Sequence, residues 1–168
     1  ASCGEGLLVV IAAEAARQGM SMDEIEQLLN RYRPLCFTFA LPNDLAYIVR
    51  GGRLPAWVKR LTNFLRISPL LTEKSGRFSL AGFTTGIGAK PSALGKAALK
   101  RMQQDTSYRV LIAHGANLEG AIELRRYILG KHPRVHSCHI SEAGPALGVH
   151  LGPGGLVVGI VPQPDELN

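Results

Sequence analysis

Apolar and polar positions alternate along this chain in two periods, and the changes between them predict its elements. Residues 5–18 read as an Ala-rich helix closed by Gly19. Ser21 and Glu24 form a Ser-x-x-Glu capping box ahead of MDEIEQLLNRYR, a second helix with its stripe on Ile25, Leu28, Leu29 and Tyr32, stopped before Pro34. LCFTFAL (35–41) switches to the two-residue period of a strand, and a short helix, DLAYIVR, follows until Gly51-Gly52 breaks it. LPAWVKRLTNFLRI (54–67) is amphipathic, with Leu54, Trp57, Val58, Leu61, Phe64 and Leu65 on one face and Lys59, Arg60 and Arg66 off it. SPLLTEKSGRFSLAGFTT predicts a hairpin about Lys74-Ser75-Gly76. A helix over Lys90–Asp105, a strand YRVLIAHG, a helix NLEGAIELRRYILG and a strand RVHSCHI follow. A buried strand, LVVGIV (156–161), ends the series.

Hairpin and crossover units together predict an α/β (α+β-like) chain, a two-layer domain with a mixed sheet of about six strands. Two packing expectations come with it. Leu35, Phe37, Phe39 and Leu41 should share one sheet face, covered by the 54–67 helix through Trp57, Leu61 and Phe64. Helix 5–18 should stand out as joining material without a core of its own.

At 168 residues, 46% hydrophobic and 19% charged, the chain has the apolar content of a packed core. Its net charge of +6 and pI near 9.6 suit an anionic ligand, an acidic partner or a membrane surface without choosing among them. Basic pairs in GKAALKRM and ELRRYI lack aromatic interleaving, so no nucleic-acid groove is expected. Cys3, Cys36 and Cys138 are odd in number and far apart, which points to a reducing, cytoplasmic setting. GLLVVIAA (6–13) runs on into Glu14 and Arg17, so neither a signal peptide nor stable membrane insertion is expected.

Four stretches could carry chemistry. In GVHLGPGGLVVGI (148–160), His150 precedes Gly152, Pro153, Gly154 and Gly155. The plain reading is a tight turn with a partly buried histidine. The functional one places a ligand group against a backbone that glycine leaves open. Gly51-Gly52, flanked by Arg50 and Arg53, reads equally as an anion site or a helix–helix corner. GFTTGIGAKPS lacks phosphate-loop order, because Ala89 separates Gly88 from Lys90 and Pro91 replaces the hydroxyl residue. HSCH should split, with His136 and Cys138 on one strand face and His139 on the other, so no zinc set is expected. His114 sits where a strand opens into a loop, and no catalytic set is found.

RGGRL with the following LLTEKSGRFS, and GVHLGPGG at the end, resemble the DegV family's Gly-Gly-Arg motif, its hairpin and its His-x-Gly-Pro-Gly signature. CGEGLLVVIAAEAARQGMSMDEIEQLL resembles the helical passage joining that family's two domains. The resemblance implies a non-enzymatic bacterial lipid-binding protein. It would hold a fatty acid such as palmitate or stearate between two domains, with no cofactor or metal, and some members present the chain to a fatty acid kinase. It implies joining helices over 1–33 and a C-terminal lipid-binding domain over 34–168, the N-terminal domain with its hydroxyl ligands being absent from this chain. Carried over, the signature histidine is His150 and the motif arginine is Arg53. Gly152 and Gly154 complete the ligand-binding set, and no residue is assigned a catalytic role. FTTGIG departs from the family, which usually has an arginine after the hairpin.

Physically the reading is sufficient. About ten buried methylenes at roughly 0.8 kcal/mol each approach 8 kcal/mol, near micromolar affinity. His150 and Arg53 are then expected together at the open end of an apolar channel, with an uncovered apolar patch around its mouth. The alternative is a small-molecule kinase or transferase using the glycine turns for phosphate. No acidic cluster for a metal ion stands near those glycines.

Overall fold

The computed structural model describes residues 2–52, 55–74, 77–86 and 90–167. The chain runs α1 (Cys3–Arg17), α2 (Met22–Tyr32), β1 (Phe37–Leu41), α3 (Leu45–Arg50), α4 (Ala56–Leu65), β2 (Ile67–Lys74) and β3 (Arg77–Thr85). It continues α5 (Pro91–Leu99), β4 (Tyr108–His114), α6 (Leu118–Leu129), β5 (Val135–Glu142), α7 (Pro145–Leu151) and β6 (Leu156–Pro162). The strands form one mixed sheet in the order β3-β2-β1-β6-β4-β5. Only β4 and β5 are parallel, as the α6 crossover between them requires; the other neighbours are antiparallel.

The expected mixed sheet is present, and its helices occupy both faces rather than one. The reason lies in β6. Leu156, Val158 and Ile160 face one core with Phe39, Leu41, Val110 and Ile112, covered by α5 and α6 through Leu94, Ala98, Leu124 and Ile128. Val157 and Val161 face the other way, against α1, α3 and α7. A central strand apolar on both sides needs two covers. Gly159 completes the second one, because a Cβ there would collide with the backbone of Cys3 and Gly4, so α1 lies directly on the strand.

Both packing expectations change. Helix α1 has a core: Leu7, Ile11 and Ala15 are buried together with Leu28 of α2 and Val161. Arg109, buried in β4, also donates to Glu14 of α1 at 2.5 Å and to the Gln163 side chain. The apolar face of β1 is covered by α5, not by the 54–67 helix, and Leu35 lies outside the strand in an exposed 3₁₀ turn. The corresponding helix, α4, packs beside β2 and α3 with Trp57, Leu61 and Phe64 turned outward. β5 carries a bulge at His136, so the simple alternation fails there. Cys138 and Ile140 pack on the α5–α6 core, while His136 acts electrostatically on Glu14 of α1 and His139 is exposed.

Candidate functional site

At one end of the sheet the C-termini of β1 and β4 meet the start of β6, and the glycine-rich segment lies across them. Its first part is helical: Pro145 opens α7, and the Gly152 amide donates to Gly148 O at 2.9 Å as the helix ends. Gly152 (φ +70°) and Gly154 (φ +82°) then take left-handed backbone around Pro153, and each is also crowded. A Cβ on Gly152 would strike the Tyr47 ring, and one on Gly154 the Asn43 side chain.

The turn is braced by the β4–α6 loop. The Gly154 amide donates to Gly115 O at 2.6 Å and the Gly115 amide to Gly155 O at 3.0 Å. The Asn117 side-chain amide donates to Gly154 O at 2.8 Å. The Asn117 Oδ1 caps α6 by accepting from Gly120 N, and its backbone N–H donates to His114 Nδ1 at 3.2 Å. The amides of Gly152, Gly154 and Gly155 are therefore already committed inside the protein. A phosphate cradle needs free amides, so this geometry disfavours the kinase or transferase reading.

His150, near the end of α7, rests its ring on Gly51, the C-cap of α3. A Cβ on Gly51 would fall on that ring. Asp44 starts α3 by accepting from the Ala46 amide at 2.8 Å, and Gly52 (φ +70°) turns the chain away after it. His150 Nδ1 is buried with no hydrogen-bond partner among the described residues. Under this contact lies an aliphatic layer of Ala40, Ile48, Leu71, Leu151 and Val157, with Leu111 and Leu147 against it. The structure thus brings His150, the Gly51-Gly52 break and the glycine turn together. Arg53 lies outside the described residues.

Two larger hollows lie elsewhere. One of about 830 Å³ runs between α5 and the β1–β3 strands, over Phe39 and Leu70, with Lys90, Lys96, Lys100 and Arg101 at its rim. The other, about 970 Å³, opens at the opposite end of the sheet, between Tyr32, Phe37, Tyr108 and Pro162. Neither is lined by His150, and where a channel was expected behind it the aliphatic layer is packed.

The remaining chemistry is muted. Burial pushes the Cys3 and Cys138 thiols up to about 11 and the Cys36 thiol to about 12, which keeps them protonated and unreactive. No group of histidine, cysteine and carboxylate side chains suited to a metal ion occurs among the described residues. Sequence reasoning missed Tyr47, Asn43 and Asn117, which shape the site. Asn117 carried a signal, as a helix cap directly after the His114 loop. Tyr47 carried none, since its role is a contact with a glycine more than a hundred positions away.

A family model described as "Uncharacterised protein, DegV family" matches residues 1–163. A DegV domain-containing protein of Clostridium perfringens is 32% identical over 162 residues, covering 94% of this chain and 55% of that protein. Among solved structures, the fatty-acid-binding DegV family protein of Thermus thermophilus superposes with a TM-score of 0.82 at 24% identity, over 95% of this chain and 57% of its own. A stearic-acid-binding protein of Eubacterium ventriosum gives a TM-score of 0.80 at 19% identity, over 95% and 56%. At these identities the two superpositions show the fold alone. The chain spans about half the length of the curated relatives it matches.

Proposed function

The chain belongs to the DegV family, and from that premise we propose that it forms the acyl-chain half of a fatty-acid-binding protein. In this reading a long-chain fatty acid, such as palmitate or stearate, is bound between this domain and an N-terminal domain, with the helices of residues 1–33 as the joining passage. The observation that carries it is the place of His150. One polar ring, seated on Gly51 with a buried nitrogen that has no hydrogen-bond partner among the described residues, stands over a layer of aliphatic side chains and the Cys3 thiol. An amphiphile needs that division: methylenes supply affinity and a single donor fixes the head group. The fatty-acid ligands of the structural neighbours support it.

Gly152 and Gly154 serve this site by shape, since they let Tyr47 and Asn43 close on the turn that holds α7. Arg53, one residue past the Gly51-Gly52 break in sequence, is proposed as the cation at the head-group end. The protein carries its ligand without altering it, and presents the carboxylate to a kinase that makes acyl phosphate. Entry of an acyl chain requires the aliphatic layer to open, and Ile48 of α3 and Leu151 of α7 are two of its members.

Displacement of a fluorescent fatty acid tests this reading. His150→Ala should weaken palmitate binding by about tenfold, the loss of one hydrogen bond to a charged group, and should leave a carboxyl-methylated analogue less affected. A chain with a DegV N-terminal domain placed ahead of it should bind far more tightly than these 168 residues alone. Equal affinities would show that this domain encloses the ligand by itself, and the two-domain site would be abandoned.

A further inference from the structure

We propose that this protein pairs with a second copy of itself through β5, joining two six-stranded sheets edge to edge. The inference does not depend on fatty-acid binding. β5 is an edge strand whose only neighbour in the sheet is β4. Among the described residues no backbone hydrogen bond outside that ladder reaches residues 135–142, so the outer row of amides and carbonyls is open. Protected edges carry a lysine, a proline or a bulge that spoils the row. β3, at the other edge, has its bulge in mid-strand, between Leu80 and Gly82. β5 has its bulge at its start; residues 137–142 then pair one for one with 109–114 and include no proline or lysine. α6 extends the same face. Its Tyr127 turns toward α5, where a Cβ on Gly95 would strike the ring. On the opposite side Leu118, Ile122 and Leu129 fall within an arc of about 40°, at about 100° per residue, and all three are exposed. A hollow of about 490 Å³ runs between that side and the strand, lined by Arg125, Leu129 and residues 135–140.

Charge selects a second copy as the occupant. Arg134 precedes β5 and Glu142 ends it, and both are exposed. Arg134 donates from Nη1 to Asp105 O at 2.9 Å, and neither residue is in an ion pair among the described residues. Residues 135–141 between them contain no lysine, arginine or carboxylate. A two-fold axis through Cys138 runs the two strands antiparallel and sets Arg134 of each copy against the partner's Glu142. The same axis keeps both α6 helices on one side of the joined sheet. Their strips of Leu118, Ile122 and Leu129 then meet, with Glu119 in the first turn of one helix beside Arg126 in the last turn of the other. Arg125 is the cation nearest the axis; it is exposed, and its long side chain keeps the guanidinium in water, where like charges repel weakly. An unrelated strand would satisfy the open backbone row but not the matched ends.

Sedimentation equilibrium of the chain with a DegV N-terminal domain placed ahead of it tests the pairing. The proposal expects a monomer–dimer equilibrium. Arg134→Glu and Glu142→Arg should each raise the dimer dissociation constant about tenfold, since each variant turns two surface ion pairs into repulsions. The double variant Arg134→Glu with Glu142→Arg should restore the dimer. Within one copy the two positions stand roughly 26 Å apart, at about 3.3 Å per residue of strand, so only contact between copies allows that rescue. Leu129→Lys should weaken the dimer further, with folding intact by circular dichroism. A protein that stays monomeric at every concentration overturns the proposal. So does a dimer that the single charge variants leave unchanged, or one that they weaken and the double variant does not restore.

Discussion

α1 and α4 carry similar information in sequence and opposite roles in the fold. α1 is Ala-rich and only weakly amphipathic, yet Ile11 and Ala15 are completely buried on the sheet and Gly159 lets the helix lie against the strand backbone. α4 has the stronger stripe, with a tryptophan and a phenylalanine, and turns it to solvent. An apolar helical face therefore says that something covers it, not that the same chain does. Small residues in α1 allow close approach, whereas α4 buries Thr62 and leaves its large side chains exposed.

The largest effect that could break this comparison is the loss of a buried α1 side chain. Ile11→Ala should cost about 2–5 kcal/mol, as other large-to-small core changes do, read as a lower urea midpoint with unchanged slope. A cost below about 1 kcal/mol would mean that α1 adds no core of its own to the domain.

A smaller effect concerns the tether between α1 and β4. The hydrogen bond from Arg109 holds the Glu14 carboxyl below its ordinary value of 4.5. A depressed folded value stabilises the protein above the unfolded one, and that contribution is lost as pH falls through the folded value. Wild type should thus lose more stability between pH 7 and acid than Glu14→Gln does. Glu14 is partly exposed, so the difference at pH 7 should be only about 1 kcal/mol. Parallel acid limbs for the two proteins would show that the pair does not hold α1.

The smallest effect is expected on the other helix. Phe64→Ala should change stability by no more than about 0.5 kcal/mol, as exposed substitutions do, although it removes a larger side chain than Ile11→Ala. A cost comparable to that of Ile11→Ala would mean that α4 packs inward in solution.

Much of the order of elements was legible because periodicity is local. The Ser21–Glu24 capping box, the two-residue period of β1 and the apolar run of β6 each depend on a few neighbouring residues, and each is present. The parts that were not legible depend on distant chain. α7 was hidden because PALGVHL is short, opens with proline and contains a glycine, so His150 read as a turn residue when it belongs to a helix. The bulge at His136 arises from pairing with β4, and no pattern within HSCH announces it. At the site, His150 and the glycine breaks were visible as residue types. What joins them, His150 on Gly51 and Asn117 on Gly154, spans 99 and 37 positions.

The central claim is that this domain carries a fatty acid and performs no chemistry on a nucleotide. Native mass spectrometry of this chain with a DegV N-terminal domain placed ahead of it, as purified from bacterial cells without added lipid, tests it most directly. The account predicts a non-covalent adduct with the mass of a C16 or C18 fatty acid, released by organic solvent and reduced in His150→Ala. A retained nucleotide, or no fatty-acid adduct even after incubation with palmitate, would contradict it.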